Sequence, residues 1–187
     1  MQIIPKGPRE RFATDLINVT SDIDDKKKLC NFILNIIDHY WKLVGSYLLV
    51  NKTALSVLNC INNFISIYGV PNILQCDNGL EYKHHFLKDY CNNKNINLIY
   101  SGIKHLTING VEEIVHQDIV NSLLAQKLQL KNKYHISFCL SNAVYAHINN
   151  IHESTKLSPK YLFNNYENIP ESEIENKMII QKKNYIL

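Results

Sequence analysis

Asp77 stands where a small α/β protein could hold reactive chemistry. It follows the apolar run ILQC and precedes Asn78-Gly79, a strong turn signal, so the pattern predicts a carboxylate at the carboxyl end of a short buried strand. Open α/β sheets carry their reactive groups at this edge. Asp-Asn-Gly is also good turn chemistry without any catalysis, so the motif alone leaves a structural turn and a reactive carboxylate both open.

Two further acidic residues could act with Asp77. Asp15 lies in the middle of the alternating run RFATDLINV, which predicts a first strand over residues 11–19. Asp is rare in strands, and a buried carboxylate must be paired or bound to a metal; an edge-strand Asp facing water is the alternative. Glu113 belongs to a helical pattern, and 35 residues lie between it and Asp77. The adjacent Glu112 points about 100° away on a helix, so the two cannot serve together.

Length and composition describe an ordinary globular chain. The 187 residues are enough for one domain with a real core, and 45% hydrophobic against 20% charged residues excludes a disordered class. The net charge of +3 permits a nucleic-acid partner without arguing for one. The five cysteines contain no CxxC pair, which favours buried free thiols in a reducing compartment. No apolar stretch approaches the ~20 residues of a membrane span and the first residues do not resemble a signal peptide, so we expect an intracellular protein without a membrane partner.

The predicted elements follow the order βββ-α-β-α-β-α-α. Strands are predicted at residues 11–19, 29–38, 43–50, 72–76 and 95–100, and helices at residues 53–68, 82–94, 110–129 and 136–149. The first helix is predicted to be capped by Thr53 and to bury the stripe Ala54, Leu58, Ile61, Ile65 and Tyr68. A loop is predicted over residues 101–109 and a short turn at residues 159–162.

This order predicts an α/β fold with a mixed five-stranded sheet flanked by helices on both faces. Three consecutive strands with short links favour an antiparallel meander, and the βα units add two further strands. If the first and fourth strands are neighbours, Asp15 and Asp77 face each other across the sheet.

Five short motifs occur in order along the chain. They are Asp38-His39-Tyr40-Trp41-Lys42, Asn51-Lys52-Thr53-Ala54 with Tyr68-Gly69-Val70-Pro71, Asp77-Asn78-Gly79-Leu80-Glu81-Tyr82, Asn109-Gly110-Val111-Glu112-Glu113, and His152-Glu153-Ser154-Thr155 with Ser158-Pro159. Together with Asp15 and the 35-residue spacing, they resemble the catalytic core of retroviral and retrotransposon integrases, in particular those of gypsy-like elements. These proteins are DDE recombinases with a ribonuclease-H-like fold.

The resemblance implies both an architecture and an activity. It implies a ribonuclease-H-like core over residues 11–165, preceded by a lead-in at residues 1–10 and followed by a polar, Lys-rich tail at residues 166–187. The implied activity is that of a DNA polynucleotidyl transferase that cleaves DNA ends and joins them to a target during integration. We expect a catalytic core alone, without the zinc-binding and C-terminal DNA-binding domains of complete integrases.

By the same resemblance, Asp15, Asp77 and Glu113 are the catalytic residues and the metal ligands. Phosphoryl transfer on DNA uses two divalent cations roughly 3.5–4 Å apart that clamp the attacking and leaving oxygens. Mg²⁺ and Mn²⁺ prefer carboxylate oxygens to Cys or His side chains. Asp15 is expected to bridge both ions, while Asp77 and Glu113 each hold one.

The expected partners are the DNA ends of an element, the target DNA and further copies of the same chain, in the nucleus. The candidate DNA contacts are Asn78, Lys104, His105, Asn109, His116 and Gln117.

The chain departs from the family pattern at two places. Leu106 follows His105 where the family usually has proline, and no Lys or Arg occurs between Val111 and Gln126, although phosphate contacts depend on such residues. Lys104, Lys127, Lys131 and Lys133 could partly compensate. The alternative hypothesis is therefore an integrase-derived protein that binds nucleic acid or protein without catalysis. A simple ribonuclease H is disfavoured by the spacing and motifs.

Overall fold

The sheet of this protein has five strands in the predicted arrangement. The computed structural model describes residues 5, 7–19, 30–101, 110–130, 135–153 and 155–168; the side chains of residues 110–114 and 116 lie outside this description. The strands are β1 Arg11–Asn18, β2 Phe32–Asp38, β3 Val44–Leu49, β4 Ile73–Cys76 and β5 Asn97–Tyr100. Their order across the sheet is β3-β2-β1-β4-β5.

The helices are close to the predicted ones. They are α1 Ala54–Tyr68, α2 His85–Asn93, α3 Gly110–Gln129, α4 Ile136–Asn149 and α5 Pro159–Asn165, followed by a 3₁₀ turn at Tyr166–Asn168. Among the described residues, no helix has the length and hydropathy that crossing a membrane requires. None of the five cysteines forms a disulfide, and all except the half-buried Cys60 are buried.

The strand pairing brings the two predicted aspartates to one level of the sheet. β1 runs antiparallel to β2 and parallel to β4, with Ala13 opposite Gln75. Asp15 lies two residues beyond Ala13, and Asp77 lies two residues beyond Gln75. β1 and β4 are neighbours, which is the condition under which Asp15 and Asp77 were expected to face each other.

Two hydrophobic cores cover the two faces of the sheet because successive strand residues point to opposite sides. Phe12 belongs to the core beneath α1 and α2, whereas the next residue, Ala13, belongs to the core beneath α3 and α4. Val115 of α3 and Cys139 of α4 pack in the second core. Asp15 lies two residues after Ala13 along β1 and therefore points to the same face, the one covered by α3 and α4.

The predicted buried stripe of α1 is only partly correct. Thr53 caps the helix as expected, accepting the Ser56 N–H at 3.2 Å. The fully buried residues are Val57, Ile61, Phe64 and Ile65, while Ala54, Leu58 and Tyr68 are half-buried. The helix turns Phe64 inward because its ring packs edge-to-face on Phe12 at 5.1 Å and against Gly45, where a methyl group would lie 2.6 Å from the ring.

Two other boundaries differ from the predictions. α2 begins at His85 and not at Tyr82, because residues 82–84 continue the turn: the Tyr82 N–H binds the Gly79 carbonyl at 3.2 Å and its ring is fully buried. The turn predicted at residues 159–162 is the start of α5, capped by the Ser158 hydroxyl.

A third cluster joins the first and last motifs of the chain. Residues 38–42 form a tight turn, the Asp38 turn, whose Tyr40 and Trp41 pack with Leu162 of α5. The Trp41 ring meets Phe163 edge-to-face at 5.0 Å and Tyr166 at 6.0 Å. The structure therefore continues to pack against the core through Tyr166.

Two histidines fasten this cluster to α4. His147 Nε2 lies 3.1 Å from the Lys42 carbonyl oxygen, and His152 Nε2 lies 2.8 Å from the His147 carbonyl oxygen. Their rings meet edge-to-face at 4.4 Å. His152 thus contacts His147, and His147 contacts the Asp38 turn through the Lys42 carbonyl. Lys42 and His147 are 105 residues apart in the sequence.

Candidate active site

Asp77 lies at the edge of the sheet and begins a turn over residues 77–82, here called the Asp77 turn. Its Oδ1 accepts the Gly79 N–H at 2.7 Å. Burial raises the pKa of the half-buried Asp77 carboxyl above its ordinary value, and the charges of Asp15 and Glu81 raise it further. The Gly79 N–H and the Lys52 ammonium lower it. Asp77 is therefore a carboxylate surrounded by other carboxylates, which is the electrostatic setting of a cation site.

Asp15 supplies the second carboxylate from the middle of β1. Its Oδ1 accepts the N–H of Leu16 at 2.9 Å, which orients the side chain along its own strand. Asp15 is half-buried, so it lies neither in the hydrophobic core nor fully in solvent. Asp15 lies close enough to Asp77 for its charge to raise the pKa of the Asp77 carboxyl, after the larger effect of burial. This proximity follows from the pairing of β1 with β4.

Glu113 lies in the first turn of α3. Its side chain lies outside the described residues, so its role and the choice between Glu112 and Glu113 stay predictions. The backbone of α3 is placed by Val115, which is buried in the same core as Ala13 of β1. The start of α3 therefore covers the face of the sheet to which Asp15 belongs.

Glu81 and Lys52 belong to this site and were not predicted as site residues. The Glu81 side chain is only 6% exposed, and its Oε1 lies 3.6 Å from Lys52 Nζ. A methyl group at Gly79 would lie 2.8 Å from Glu81 Cδ and 2.9 Å from Asp77 Oδ1. A side chain at position 79 would therefore displace the carboxylates of Glu81 and Asp77 from their present positions.

Lys52 and Glu81 both belong to motifs identified in the sequence, but the sequence does not show that the two side chains contact each other. Lys52 belongs to the motif before α1, and Glu81 belongs to the Asp77 turn. Each motif on its own has a local explanation, a helix cap and a turn. A sequence signal for the contact would have been the opposite charges of the two positions, which is too common to be specific.

The Asp77 turn is tied to the end of β5 by hydrogen bonds. The Asn78 side-chain amide donates to the Ser101 carbonyl, and the Tyr100 hydroxyl donates to the Tyr82 carbonyl at 3.0 Å. Asn78 was predicted to contact DNA, and it is exposed. Its amide also has a structural role in holding the turn, so a substitution there would affect both.

The other predicted DNA contacts are described only in part. Lys104, His105 and Asn109 lie outside the described residues, as does the side chain of His116. Gln117 is exposed on α3. Lys127, one of the lysines expected to compensate for the missing basic residues, is only 5% exposed, so it cannot present a free cation to a phosphate. Lys131 and Lys133 also lie outside the described residues.

The residues present fit hard divalent cations. Within the described part of the chain, no three His, Cys, Asp or Glu side chains are grouped as metal ligands, and Glu113, the third predicted ligand, has its side chain outside that part. The two described candidate ligands, Asp15 and Asp77, offer carboxylate oxygens, which Mg²⁺ and Mn²⁺ prefer. Burial raises the pKa of the Asp77 carboxyl, repulsion from Asp15 raises it further, and a bound cation would relieve that repulsion.

Comparison with known proteins gives structural relatives only. No family model matches the sequence. No curated protein matches it either. Among solved structures, the HTLV-2 integrase catalytic core domain in complex with magnesium aligns with a TM-score of 0.70 at 15% identity, covering 83% of this chain and 97% of that one. The catalytic core domain of BIV integrase aligns with a TM-score of 0.69 at 20% identity, covering 85% and 96%.

A larger assembly contains the same fold. A chain of the simian T-cell lymphotropic virus intasome, in complex with PP2A regulatory subunit B56 gamma, aligns with a TM-score of 0.76 at 17% identity. The alignment covers 90% of this chain and 58% of the intasome chain. At these identities the similarity shows the fold: a mixed five-stranded sheet flanked by helices, as in ribonuclease-H-like integrase catalytic cores. The predicted fold class is confirmed.

Proposed function

We propose that this chain is the catalytic core of an integrase-type DNA polynucleotidyl transferase that cleaves DNA ends and joins them to target DNA. The observation that carries the proposal is the position of two carboxylates at one level of the sheet, Asp15 in β1 and Asp77 directly after the neighbouring strand β4. This arrangement occurs in the fold of integrase catalytic cores, with the start of α3 over the face to which Asp15 belongs.

Asp15, Asp77 and Glu113 would hold two Mg²⁺ or Mn²⁺ ions. When bound, such ions activate the attacking hydroxyl or water and neutralise the leaving oxygen of the phosphodiester. The chain's own contribution is orientation and charge: the Gly79 N–H holds one oxygen of Asp77. Lys52 offsets part of the negative charge that the clustered carboxylates build up.

The partners in this proposal are DNA and other copies of the chain. The HTLV-2 core is known in a magnesium complex in trimeric and dimeric forms, and the simian relative belongs to an intasome. We extend those classes of ligand and assembly to this chain. A gypsy-like origin is also part of the proposal, supported by the packing of Leu157, in the segment that follows His152, against the cluster of Tyr40 and Trp41.

A strand-transfer assay with short DNA duplexes and Mn²⁺ or Mg²⁺ tests the proposal. Asp77→Asn should lower the rate at least about 10³-fold, because a metal ion supplies several kcal/mol of transition-state stabilisation and each 1.36 kcal/mol is tenfold. Asp89→Asn is the matched control, since Asp89 is an exposed aspartate on α2. It should leave the rate unchanged. Equal activity of the Asp77 variant and wild type would reject the assignment.

A non-catalytic, integrase-derived binding protein is the second candidate. The specific observation in its favour is the surface of α3, where Gln117, Asp118 and Asn121 are exposed and Lys127 is buried. Thermal unfolding separates the two candidates. If Mn²⁺ raises the Tm of wild type but not of an Asp15→Asn/Asp77→Asn variant, the acidic site binds cations by mass action. DNA binding without any such shift would favour the second candidate.

A further inference from the structure

A row of polar side chains crosses the sheet from Asp15 towards β3. Asn35 on β2 lies directly opposite Asp15, and Ser46 on β3 lies directly opposite Asn35. Directly opposed residues project from the same face of a sheet. All three therefore belong to the face that α3 and α4 cover.

Asn35 is buried in a place suited to an apolar side chain. It is 2% exposed, and its neighbours along the same face of β2, Ile33 and Ile37, belong to the core beneath α3 and α4. Asn is also depleted in strands, where β-branched residues pack better. An aliphatic residue would thus satisfy the packing of this position without any polar group.

The Asn35 amide has no hydrogen-bond partner within the described structure. Both its Nδ2 and its Oδ1 are buried and unpaired, and the same holds for the Ser46 hydroxyl. Burying an amide without partners destabilises a folded protein, so each such group calls for an explanation. The residue paired with Asn35 across the strands is Asp15, a carboxylate of the proposed site.

We propose that Asn35 is a positioning residue for Asp15, retained at the expense of fold stability to donate from its side-chain amide to the Asp15 carboxylate when that carboxylate binds a cation. Carboxylates that ligate metals are themselves oriented by hydrogen bonds from neighbouring groups, and losing such a partner weakens metal binding. One oxygen of Asp15 already accepts the Leu16 N–H. Asn35 lies directly opposite Asp15 on the neighbouring strand, from where its amide can donate to the carboxylate. This inference rests on the proposed cation site.

The test compares two variants of the same shape, Asn35→Val and Asn35→Thr, which differ by one hydroxyl group. In metal-free protein, Asn35→Val should raise Tm by about 2–4 °C, because it removes a buried unpaired amide. Its apparent Mn²⁺ affinity, measured by calorimetric titration, should fall at least about 10-fold. Asn35→Thr keeps a donor and should bind Mn²⁺ within about 3-fold of wild type, with a lower Tm than the valine variant.

Ser46→Ala is the matched control from the same row. It removes the other buried unpaired group, one strand farther from Asp15, so it should leave Mn²⁺ affinity unchanged while Tm stays equal or rises. A valine variant that binds Mn²⁺ like wild type would overturn the inference, as would an equal loss of affinity in Ser46→Ala. If a branched side chain does not fit, Asn35→Ala and Asn35→Ser provide the same comparison.

Failure of the proposed function gives a different result. If wild-type protein shows no Mn²⁺ binding that depends on Asp15 and Asp77, the cation site itself is rejected, and the inference about Asn35 falls with it. If wild type binds Mn²⁺ through Asp15 and Asp77, and Asn35→Val binds it as tightly as Asn35→Thr does, the cation site stands and the positioning role of Asn35 is rejected.

Discussion

Asp38 and Asp77 are both aspartates at strand ends whose carboxyl pKa is raised by burial, yet their surroundings differ. Asp38 is fully buried, and its two oxygens accept the backbone N–H groups of Arg9, Tyr40 and Trp41 at 3.2, 2.7 and 3.2 Å. These hydrogen bonds lower the pKa again and act against the burial. Asp38 is thus a structural carboxylate that closes a turn.

The Asp77 carboxylate is placed among negative charges instead. It is half-buried and accepts the Gly79 N–H, while Asp15 and Glu81 repel its charge. Like charges of clustered carboxylates repel one another, and Lys52 is the positive group that offsets part of this repulsion. The comparison shows that two aspartates at strand ends differ in their partners: backbone N–H groups surround the Asp38 carboxylate, whereas charged side chains surround that of Asp77.

The largest effect on stability is expected at Asp38. Asp38→Ala leaves three backbone N–H groups without an acceptor, each worth about 1–3 kcal/mol when buried, so the free energy of unfolding should fall by about 3–5 kcal/mol. Asp77→Ala should change it by less than about 1 kcal/mol in metal-free protein. Urea unfolding of both variants measures this contrast. Equal losses would mean that Asp77 is also a structural residue.

The packing around the Asp38 turn should also make the fold sensitive to acid. Burial and the neighbouring His152 lower the pKa of His147 from 6.5 to about 4. The unfolded chain therefore binds a proton that the folded protein excludes, and stability falls as pH decreases from about 6.5 to about 4. The 2.5-unit difference corresponds to about 3 kcal/mol.

His147→Gln checks this prediction, because its amide can still donate to the Lys42 carbonyl. The difference between the wild-type and variant unfolding free energies, measured from pH 7 to pH 4, should follow the titration of one histidine. Parallel curves would show that other groups cause the acid sensitivity.

The smallest effects are expected at the Lys52–Glu81 pair. Lys52 is half exposed, so Lys52→Met should change the free energy of unfolding by less than about 1 kcal/mol. The two residues should move the pKa of the Asp77 carboxyl in opposite directions: Glu81→Gln lowers it and Lys52→Met raises it. Carbon-13 NMR titration of metal-free protein measures both shifts. Shifts of the same sign would contradict the charge arrangement described for the Asp77 turn.

Much of the fold and part of the candidate site follow from local sequence. The strand of Asp15, the turn after Asp77 and the helix of Glu113 are each visible in a window of a few residues, as are the Thr53 cap and the end of α1 at Gly69. The order of these elements predicts a mixed five-stranded sheet, whereas the adjacency of β1 and β4 comes from the structure. Local patterns therefore predict the candidate carboxylates, and the strand order of the folded sheet decides that Asp15 and Asp77 lie at one level.

The tertiary structure decided which of two overlapping stripes of α1 faces the sheet. Val57, Ile61 and Phe64 recur at helical spacing just as the predicted Ala54, Leu58, Ile61 and Ile65 do. Periodicity alone cannot choose between stripes that differ by a small rotation. The contact of Phe64 with Gly45 made the choice, and it depends on a strand from elsewhere in the chain.

The contacts that give each polar residue its role were likewise decided only by the tertiary structure. Lys52 meets Glu81, His147 meets the Lys42 carbonyl, and Asn35 lies opposite Asp15. Local propensities act over one turn of helix or strand, whereas these pairs join residues far apart in the chain through the order of the strands. Composition and spacing thus determine which groups are available, and packing determines which of them are buried together and must be satisfied.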